Sequence, residues 1–201
     1  MGTMISRILK PAVTGLINPL AKMFLRWGFT PNGVTIFGAV GSVGSFLLFY
    51  PSGHLFLGSI IGFTFLLSDL FDGTMARLSN SGSSKWGGFL DSTLDRIADS
   101  SLLFGIILFL ERKSDSLLPV ALIALVAGFL IPYIRAKAES LEIECGGGIA
   151  ERTERLGIAL IAIALAGLGI PFVLAIGIWV LTILSLVTVA QRVIIVRNAL
   201  T

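Results

Sequence analysis

Five aspartates lie within one short stretch of this 201-residue chain, and their spacing is helical. The stretch SDLFDGTMARLSNSGSSKWGGFLDSTLDRIADS contains Asp69, Asp72, Asp91, Asp95 and Asp99. Residues three or four apart lie on the same face of a helix. The first four aspartates therefore form two pairs, each on one helix face, and Asp99 continues the second face by one turn.

A cluster of carboxylates in apolar surroundings predicts a site for divalent cations. Each charge inside a membrane helix costs about 2.5–3.5 kcal/mol on insertion scales, and like charges also repel one another. Solvated helix ends with ordinary ion pairs are the alternative, but Arg77, Lys85 and Arg96 are too few to neutralise the cluster. Oxygen ligands without a nearby His or Cys select a hard ion. We therefore predict Mg²⁺, or else Mn²⁺, bound by Asp69, Asp72, Asp91 and Asp95.

The residues between the two pairs suit a ligand that carries phosphate. Gly73 has no side chain, so a ligand can approach the backbone there. Arg77 can donate two hydrogen bonds to a phosphate group, and the turn SNSGSS is rich in hydroxyl groups. Mg²⁺ in proteins usually shares its coordination shell with substrate phosphates, so the two features point to the same ligand.

The composition shows that membrane helices must position these residues. Hydrophobic residues make up 55% of the chain and charged residues only 13%, and the mean hydropathy is +0.93. Soluble domains carry about 25% charged residues, so we expect an integral membrane protein. The single cysteine, Cys145, excludes a disulfide framework and a thiolate metal cage. The basic residues form no dense stripe, so we expect no nucleic-acid partner.

Six stretches are long enough to span a membrane, which takes about twenty mostly apolar residues. The link between the last two is too short for anything but an antiparallel hairpin. We therefore predict an all-α integral membrane protein with six transmembrane helices in a domain of residues 31–201. The six stretches are residues 32–51, 55–76, 90–110, 117–138, 156–174 and 176–196.

Residues 1–30 form a segment of a different kind. Within residues 4–27, basic and polar residues recur every three or four positions, with apolar residues opposite. This pattern predicts an N-terminal amphipathic helix that lies in the membrane interface. A seventh span, kinked at Pro11 and Pro19, is the alternative.

The distribution of basic residues predicts the orientation in the cell membrane. All but Arg112 and Lys113 of the 15 Lys and Arg residues fall on one side of the predicted spans. Cytoplasmic loops carry the excess of Lys and Arg. Both termini and the aspartate stretch are therefore expected to be cytoplasmic.

The aspartate pattern resembles the signature of the CDP-alcohol phosphotransferase family, D-x2-D-G-x2-A-R followed by G-x3-D-x3-D. The chain is similar to the actinobacterial phosphatidylinositol phosphate synthase branch of that family in GFTPNGVTIFG near residue 28, in YIRAKAE, in ERTER and in the QR near the C-terminus. The residues that match the signature are Asp69, Asp72, Gly73, Ala76, Arg77, Gly87, Asp91 and Asp95.

The resemblance implies a six-span fold, commonly a homodimer, whose site opens to the cytoplasm. It implies a donor, CDP-diacylglycerol, whose diphosphate lies on two Mg²⁺ ions. Asp69, Asp72 and Asp91 would then be metal ligands, and Asp95 would contact the second ion and act as the general base. The implied nucleotide contacts are Asn32, Gly33, Val34, Thr35, Gly73, Ala76, Arg77, Ser84 and Gly87.

Four basic residues at separate cytoplasmic helix ends are candidates for a pocket that binds a phosphomonoester. They are Lys137, Arg152, Arg155 and Arg192. A topological charge bias explains them equally well from the residues alone. The resemblance favours the pocket and implies that the acceptor is myo-inositol phosphate and that CMP is released.

Three other functions compete with this prediction. A phosphatidylglycerol phosphate synthase would use glycerol 3-phosphate as the acceptor. An aspartate-rich prenyltransferase would also bind a diphosphate, but it lacks the Gly and Arg pattern after Asp72. A cation-coupled membrane transporter would use intramembrane acids as an ion path, although carriers tend to show internal repeats and none is visible here.

Overall fold

The computed structural model describes residues 17–79 and 84–201, and within these ranges all regular structure is helical. The prediction of an all-α chain is confirmed for this part of the sequence. The N-terminal amphipathic helix predicted for residues 4–27 falls partly on residues 1–16, which lie outside the described residues. The helices are α1 (residues 17–26), α2 (Pro31–Phe49), α3 (Leu55–Leu66), α4 (Ser68–Leu78), α5 (Lys85–Arg112), α6 (Leu118–Glu139), α7 (Arg152–Gly167) and α8 (Val173–Leu200).

Four helical stretches of the described chain are long and apolar enough to cross a bilayer. α5 is longer than most of them, but its first half carries the polar residues of the aspartate stretch. α7 has 16 residues, which corresponds to about 24 Å, less than the roughly 30 Å of a hydrocarbon core. The four stretches are Pro31–Phe49, Leu55–Leu78, Leu118–Glu139 and Val173–Leu200.

The helix limits differ from the predicted spans where polar residues extend a helix or a turn interrupts it. The predicted span 55–76 is divided at Leu67 into α3 and α4. α5 begins at Lys85, five residues before the predicted start, and α7 ends at Gly167 instead of continuing to residue 174. Hydropathy identifies the apolar segment of a helix. The helix itself extends as far as its backbone hydrogen bonds continue, which can include polar residues.

The described chain forms two compact units. One comprises the described residues up to Ser42 together with Phe63–Ile97. In it, two glycines of α2 lie against side chains at the junction of α3 and α4. A Cβ atom added at Gly38 would lie 1.6 Å from Ser68 Oγ, and one added at Gly41 would lie 2.2 Å from the Phe65 ring. Glycine is therefore required at both positions for this close approach.

The other unit comprises Val43–Gly62 and Ala98–Thr201. In it, α8 packs against α6 and α7. Gly177 of α8 lies directly against Ala162 of α7, where an added Cβ would be 2.2 Å from the alanine Cβ. These two residues are similarly distant from the turn between the helices, as expected for the predicted antiparallel hairpin.

In the same unit, a hydrogen bond connects the turn after α2 with the turn after α5. Arg112 Nη1 at the end of α5 donates a 2.9 Å hydrogen bond to the carbonyl oxygen of Pro51, which follows α2. The turn after α2 and the turn after α5 therefore meet at one end of this unit. Both turns were predicted to lie on the side opposite the aspartates.

Candidate active site

The first pair of aspartates is carried by the short helix α4, which starts immediately after the break at Leu67. Asp72 is buried, with 7% of its surface exposed. Its Oδ2 accepts a 2.5 Å hydrogen bond from Thr35 Oγ1 on α2. The Asp69 and Asp91 carboxylates act on Asp72 as unfavourable like charges. Asp69 from the first predicted pair and Asp91 from the second therefore both lie near enough to act on this buried carboxylate.

The second pair lies on the first turns of α5. Asp91 and Asp95 are partly buried, and Asp95 Oδ2 lies 3.4 Å from Nη2 of Arg96. The Asp95 side chain keeps only 15% of its surface exposed. It is therefore mostly buried but keeps some contact with solvent.

The donor set fits a hard divalent cation chemically, because it consists only of carboxylate oxygens. The like charges around Asp72 would be relieved by a bound cation. In the described part of the chain, however, no three Asp, Glu, His or Cys side chains lie close enough together to form a ready metal-binding cluster. The residues thus match the ion in type, and the carboxylates would have to draw closer together to coordinate it.

Several predicted nucleotide residues lie together at the start of α2 and the start of α5. A Cβ atom added at Gly87 would lie 3.1 Å from both Asn32 Oδ1 and Ser84 Oγ. Ser84 Oγ also accepts a 2.9 Å hydrogen bond from the Gly87 N–H and so caps α5. The structure thus brings Asn32, Ser84 and Gly87 into one place, as a shared ligand would require.

The remaining nucleotide candidates lie in the same unit but in different settings. Gly33 donates its N–H to Thr30 Oγ1 at 3.1 Å, which caps α2. No atom lies within 4 Å of a Cβ added at Gly73, so its backbone is open to a ligand. Arg77 Nη2 donates a 3.1 Å hydrogen bond to Thr74 Oγ1. Val34 and Ala76 are half-buried, on α2 and α4.

The four candidate acceptor residues all lie in the other unit. They differ in exposure and in hydrogen-bond partners. Lys137 is exposed near the end of α6. Arg155 Nη1 donates a 2.8 Å hydrogen bond to the carbonyl oxygen of Ala150, just before α7. Arg152 instead binds Asp99 through Nε and Nη2.

Arg192 is the most buried of the four, with 6% of its surface exposed. Its Nη1 donates to the carbonyl oxygen of Ile131 at 2.7 Å and its Nε to that of Gly147 at 3.2 Å. It therefore links α8 to α6 and to the loop of residues 140–151.

Further contacts attach the loop of residues 140–151 to α8. The Ile149 N–H donates to Gln191 Oε1 at 3.0 Å, and the Ala150 N–H donates to Thr188 Oγ1 at 3.4 Å. Gly148 has a φ of +136° and lies so close to Thr188 that an added Cβ would be 2.6 Å from its methyl group. The loop that leads into α7 is thus shaped by α8.

The contacts that the sequence did not predict include two that join different helices. Asp99 was expected only to continue the face of Asp95, but it binds Arg152. Phe24 of α1 packs edge-on against Phe71 of α4, with ring centroids 6.1 Å apart. Both contacts join residues far apart in the chain, and no local periodicity indicates such partners.

Comparison with known proteins places the aspartate motif in a described family. The sequence model of the CDP-alcohol phosphatidyltransferase family matches residues 29–190. The chain is 42% identical over 187 residues to the phosphatidylinositol phosphate synthase of Mycobacteroides abscessus, an alignment that covers 92% of this chain and 84% of that protein.

Two crystal structures of the Mycobacterium tuberculosis phosphatidylinositol phosphate synthase have the same fold. The form with CDP-DAG bound aligns with a TM-score of 0.85 at 36% identity, covering 90% of this chain and 92% of that one. The form in complex with manganese and citrate aligns with a TM-score of 0.83 at 36% identity, covering 90% and 88%.

Proposed function

Because the chain belongs to the CDP-alcohol phosphatidyltransferase family, we propose that it transfers the phosphatidyl group of CDP-diacylglycerol to a hydroxyl of myo-inositol phosphate and releases CMP. The observation that carries this proposal is the complete family motif in the sequence, within which Asp72 is buried and has Asp69 and Asp91 as neighbouring charges. The relatives named phosphatidylinositol phosphate synthase support the acceptor.

We assign the metal site to Asp69, Asp72, Asp91 and Asp95, with two Mg²⁺ ions or Mn²⁺ in their place. The manganese complex of the M. tuberculosis relative supports a divalent ion. When bound, such ions supply positive charge to the diphosphate and to the departing CMP. Thr35 orients Asp72 through its hydrogen bond, so that this carboxylate is presented in one rotamer.

Asp95 serves as the general base. A hydroxyl of the acceptor gives its proton to the Asp95 carboxylate while its oxygen forms a bond to the phosphorus of the phosphatidyl group. The bond from that phosphorus to the bridging oxygen breaks, and CMP leaves with the oxygen. Partial burial of Asp95 keeps the carboxylate in place while its proton can still pass to solvent.

The residues grouped at the start of α2 and α5 bind the donor. Asn32, Ser84 and Gly87 lie together and would contact the cytidine part with Gly33, Val34 and Thr35. Gly73 and Ala76 leave room beside α4, and Arg77 supplies a guanidinium for the diphosphate. The solved relative with CDP-DAG bound supports a donor of this kind.

We assign the four basic residues of the second unit to the acceptor side. Lys137 and Arg155 provide donors for the acceptor phosphate. Arg192 holds the loop of residues 140–151 through its bond to Gly147 and adds positive charge. Arg152 belongs to the same group but is bound to Asp99.

We further propose that α5 and α7 complete six membrane spans in a domain of residues 31–201. Residues 1–30 form the interfacial amphipathic segment. Both termini and the active site face the cytoplasm at the cell membrane, and the protein is a homodimer. Family resemblance supports the dimer, and the distribution of Lys and Arg supports the orientation.

Acceptor profiling tests the proposed function. Purified protein is supplied with CDP-diacylglycerol and Mg²⁺, and CMP release is measured with myo-inositol phosphate, glycerol 3-phosphate, free myo-inositol or no acceptor. We expect the fastest release with myo-inositol phosphate. Asp95→Asn should lower release about 10²–10⁴-fold, the range for a lost general base, while CDP-diacylglycerol still binds.

Three outcomes would contradict the proposal. Fastest release with glycerol 3-phosphate would make the chain a phosphatidylglycerol phosphate synthase. Cation flux across vesicles without CMP release would favour a transporter. Near-normal turnover of Asp95→Asn would remove that residue as the base.

A further inference from the structure

Asp99 of α5 and Arg152 of α7 form an ion pair within the second unit. Arg152 Nε donates to Asp99 Oδ1 at 3.2 Å and to Oδ2 at 3.0 Å, and Nη2 donates to Oδ1 at 3.0 Å. Both carboxylate oxygens are thus engaged by the guanidinium. A two-oxygen contact of this type fixes direction as well as distance.

The pair is partly shielded from water. The side chains keep 28% of their surface exposed at Arg152 and 21% at Asp99. Asp99 directly follows the buried Ala98 and precedes the fully apolar part of α5, where Leu102 and Ile106 are buried. A carboxylate in such surroundings is costly unless it is paired. The guanidinium of Arg152 therefore offsets the cost of placing Asp99 here.

The position of Arg152 in its own helix is unfavourable without Asp99. Arg152 is the first residue of α7, and the N-terminus of a helix repels positive charge. Glu151 and Glu154 cap this helix start reciprocally, which is the acidic pattern that the helix dipole favours. An arginine here is therefore explained by its tertiary partner on α5 and not by the helix.

The pair also determines where Arg155 lies. Residues three apart are neighbours on a helix, so Arg155 follows Arg152 by one turn on nearly the same face. The Arg155 guanidinium donates a hydrogen bond to the carbonyl oxygen of Ala150, just before α7. Movement of the first turn of α7 relative to α5 would move the Arg155 guanidinium with it.

We propose that Asp99 and Arg152 are positioning residues, which fix the first turn of α7 on α5 so that Arg155 is correctly placed for the acceptor phosphate. Arg152 then acts through this contact and does not itself bind the acceptor. The inference rests on the proposed function for the role of Arg155 and makes a separate statement about Asp99.

Asp99→Asn separates the two roles that Arg152 could have. If Arg152 bound the phosphate directly, removal of the Asp99 charge would take away a competing anion, and binding of the acceptor would strengthen or stay the same. If the pair positions Arg155, the same substitution releases α7, and binding of the acceptor weakens. The direction of the change in KM for the acceptor therefore decides between them.

The experiment measures KM for myo-inositol phosphate, KM for CDP-diacylglycerol and kcat by CMP release. We expect Asp99→Asn and Arg152→Gln each to raise the acceptor KM about tenfold, because a small displacement of a binding group is costly. The donor KM and kcat should stay near wild type. The double variant should be no worse than either single one, since both remove the same contact. Asp99→Glu should restore part of the affinity.

Matched controls exclude a general loss of structure. Arg135→Gln removes the exposed ion pair with Glu139 on α6, where the two side chains are 2.9 Å apart, and should leave all three constants unchanged. The thermal unfolding midpoint in detergent is measured for every variant. Arg155→Gln should raise the acceptor KM by itself, and Asp99→Asn should add little to it.

The inference and the proposed function fail in different ways. If the wild type releases CMP fastest with another phosphorylated acceptor, the proposed function is wrong, and the same variants are assayed with that acceptor. An unchanged or lower acceptor KM in Asp99→Asn overturns the inference while the function stands. Equal changes in the donor and acceptor KM would overturn it as well.

Discussion

Asp72 is a buried carboxylate that accepts a side-chain hydrogen bond from the neutral hydroxyl of Thr35. The neighbouring Asp69 and Asp91 carboxylates are repulsive, so the local arrangement favours the approach of a cation. A hydroxyl donor fixes the carboxylate in direction but leaves its negative charge in place. Thr35 can therefore orient Asp72 and leave it able to bind the proposed metal ion.

Substitution of Thr35 by Val tests this contact. The change keeps the shape of the side chain and removes the donor. Loss of an outer partner of a metal ligand typically costs about 10–100-fold in metal affinity, so the Mg²⁺ concentration for half-maximal CMP release should rise within that range. Thr35→Ser should stay close to wild type.

Thr93→Val is the matched control, because Thr93 is exposed on α5 and its hydroxyl donates only to the Phe89 carbonyl. It should leave the Mg²⁺ dependence unchanged. The same Mg²⁺ requirement in Thr35→Val and wild type would show that the Thr35 hydroxyl has no part in orienting Asp72.

The sequence predicted the aspartates because their spacing is a local helical signal. It did not predict the hydrogen bond between Thr35 and Asp72, which joins residues 37 apart, or the pairing of Asp99 with Arg152, 53 apart. Such partners are decided by how helices pack. Hydropathy does not encode that packing, so the choice of partner became visible only in the structure.

At the scale of the elements, the prediction found the helices but misplaced several of their ends. Leu67 is itself apolar and α4 resumes directly at Ser68, so a hydropathy window of about twenty residues does not detect the division between α3 and α4. The early start of α5 was missed because its first turn contains a lysine and two glycines, which lower the hydropathy and are not typical of a helix interior. The close packing of α2 has a visible cause in the sequence, because Gly38 and Gly41 are the positions where α2 approaches α3 and α4.

Gly38→Ala tests that close packing. The added methyl group would overlap Ser68 and lie 3.0 Å from the Phe65 carbonyl oxygen, so backbone must move. We expect a loss of about 1–3 kcal/mol, the usual cost of overpacking, seen as a lower thermal unfolding midpoint in detergent.

Gly44→Ala on the same helix provides the control, because nothing lies within 4 Å of a Cβ added there. It should be neutral or slightly stabilising, since Gly costs up to about 1 kcal/mol relative to Ala inside a helix. Equal midpoints for the two variants would mean that α2 can move away from Ser68 without cost.

At the scale of the whole molecule, charge asymmetry is the main guide to orientation. Arg112 and Lys113 are the two basic residues predicted on the outer side, and Arg112 binds the Pro51 carbonyl of the other outer turn. Its guanidinium thus connects the turn after α5 to the turn after α2. The remaining 13 Lys and Arg residues lie on the side that we predict to be cytoplasmic.

Cysteine labelling of cells tests the orientation. In a Cys145→Ala background, Ser116→Cys in the turn after α5 should react with a membrane-impermeant maleimide in intact cells. Asn198→Cys in α8 should react only after permeabilisation. Both native side chains are exposed, so access to the reagent is limited by the membrane. The reverse pattern would invert the proposed topology and place the aspartates outside.

The attachment of the loop of residues 140–151 to α8 has a consequence for biosynthesis. Thr188, Gln191 and Arg192 follow that loop in the chain by some forty residues, so they leave the ribosome after it. A nascent chain that has already inserted α6 and α7 still lacks the partners that shape the entrance to α7. Catalytic competence would therefore arrive late, with the insertion of α8, and not gradually as each earlier helix enters the bilayer.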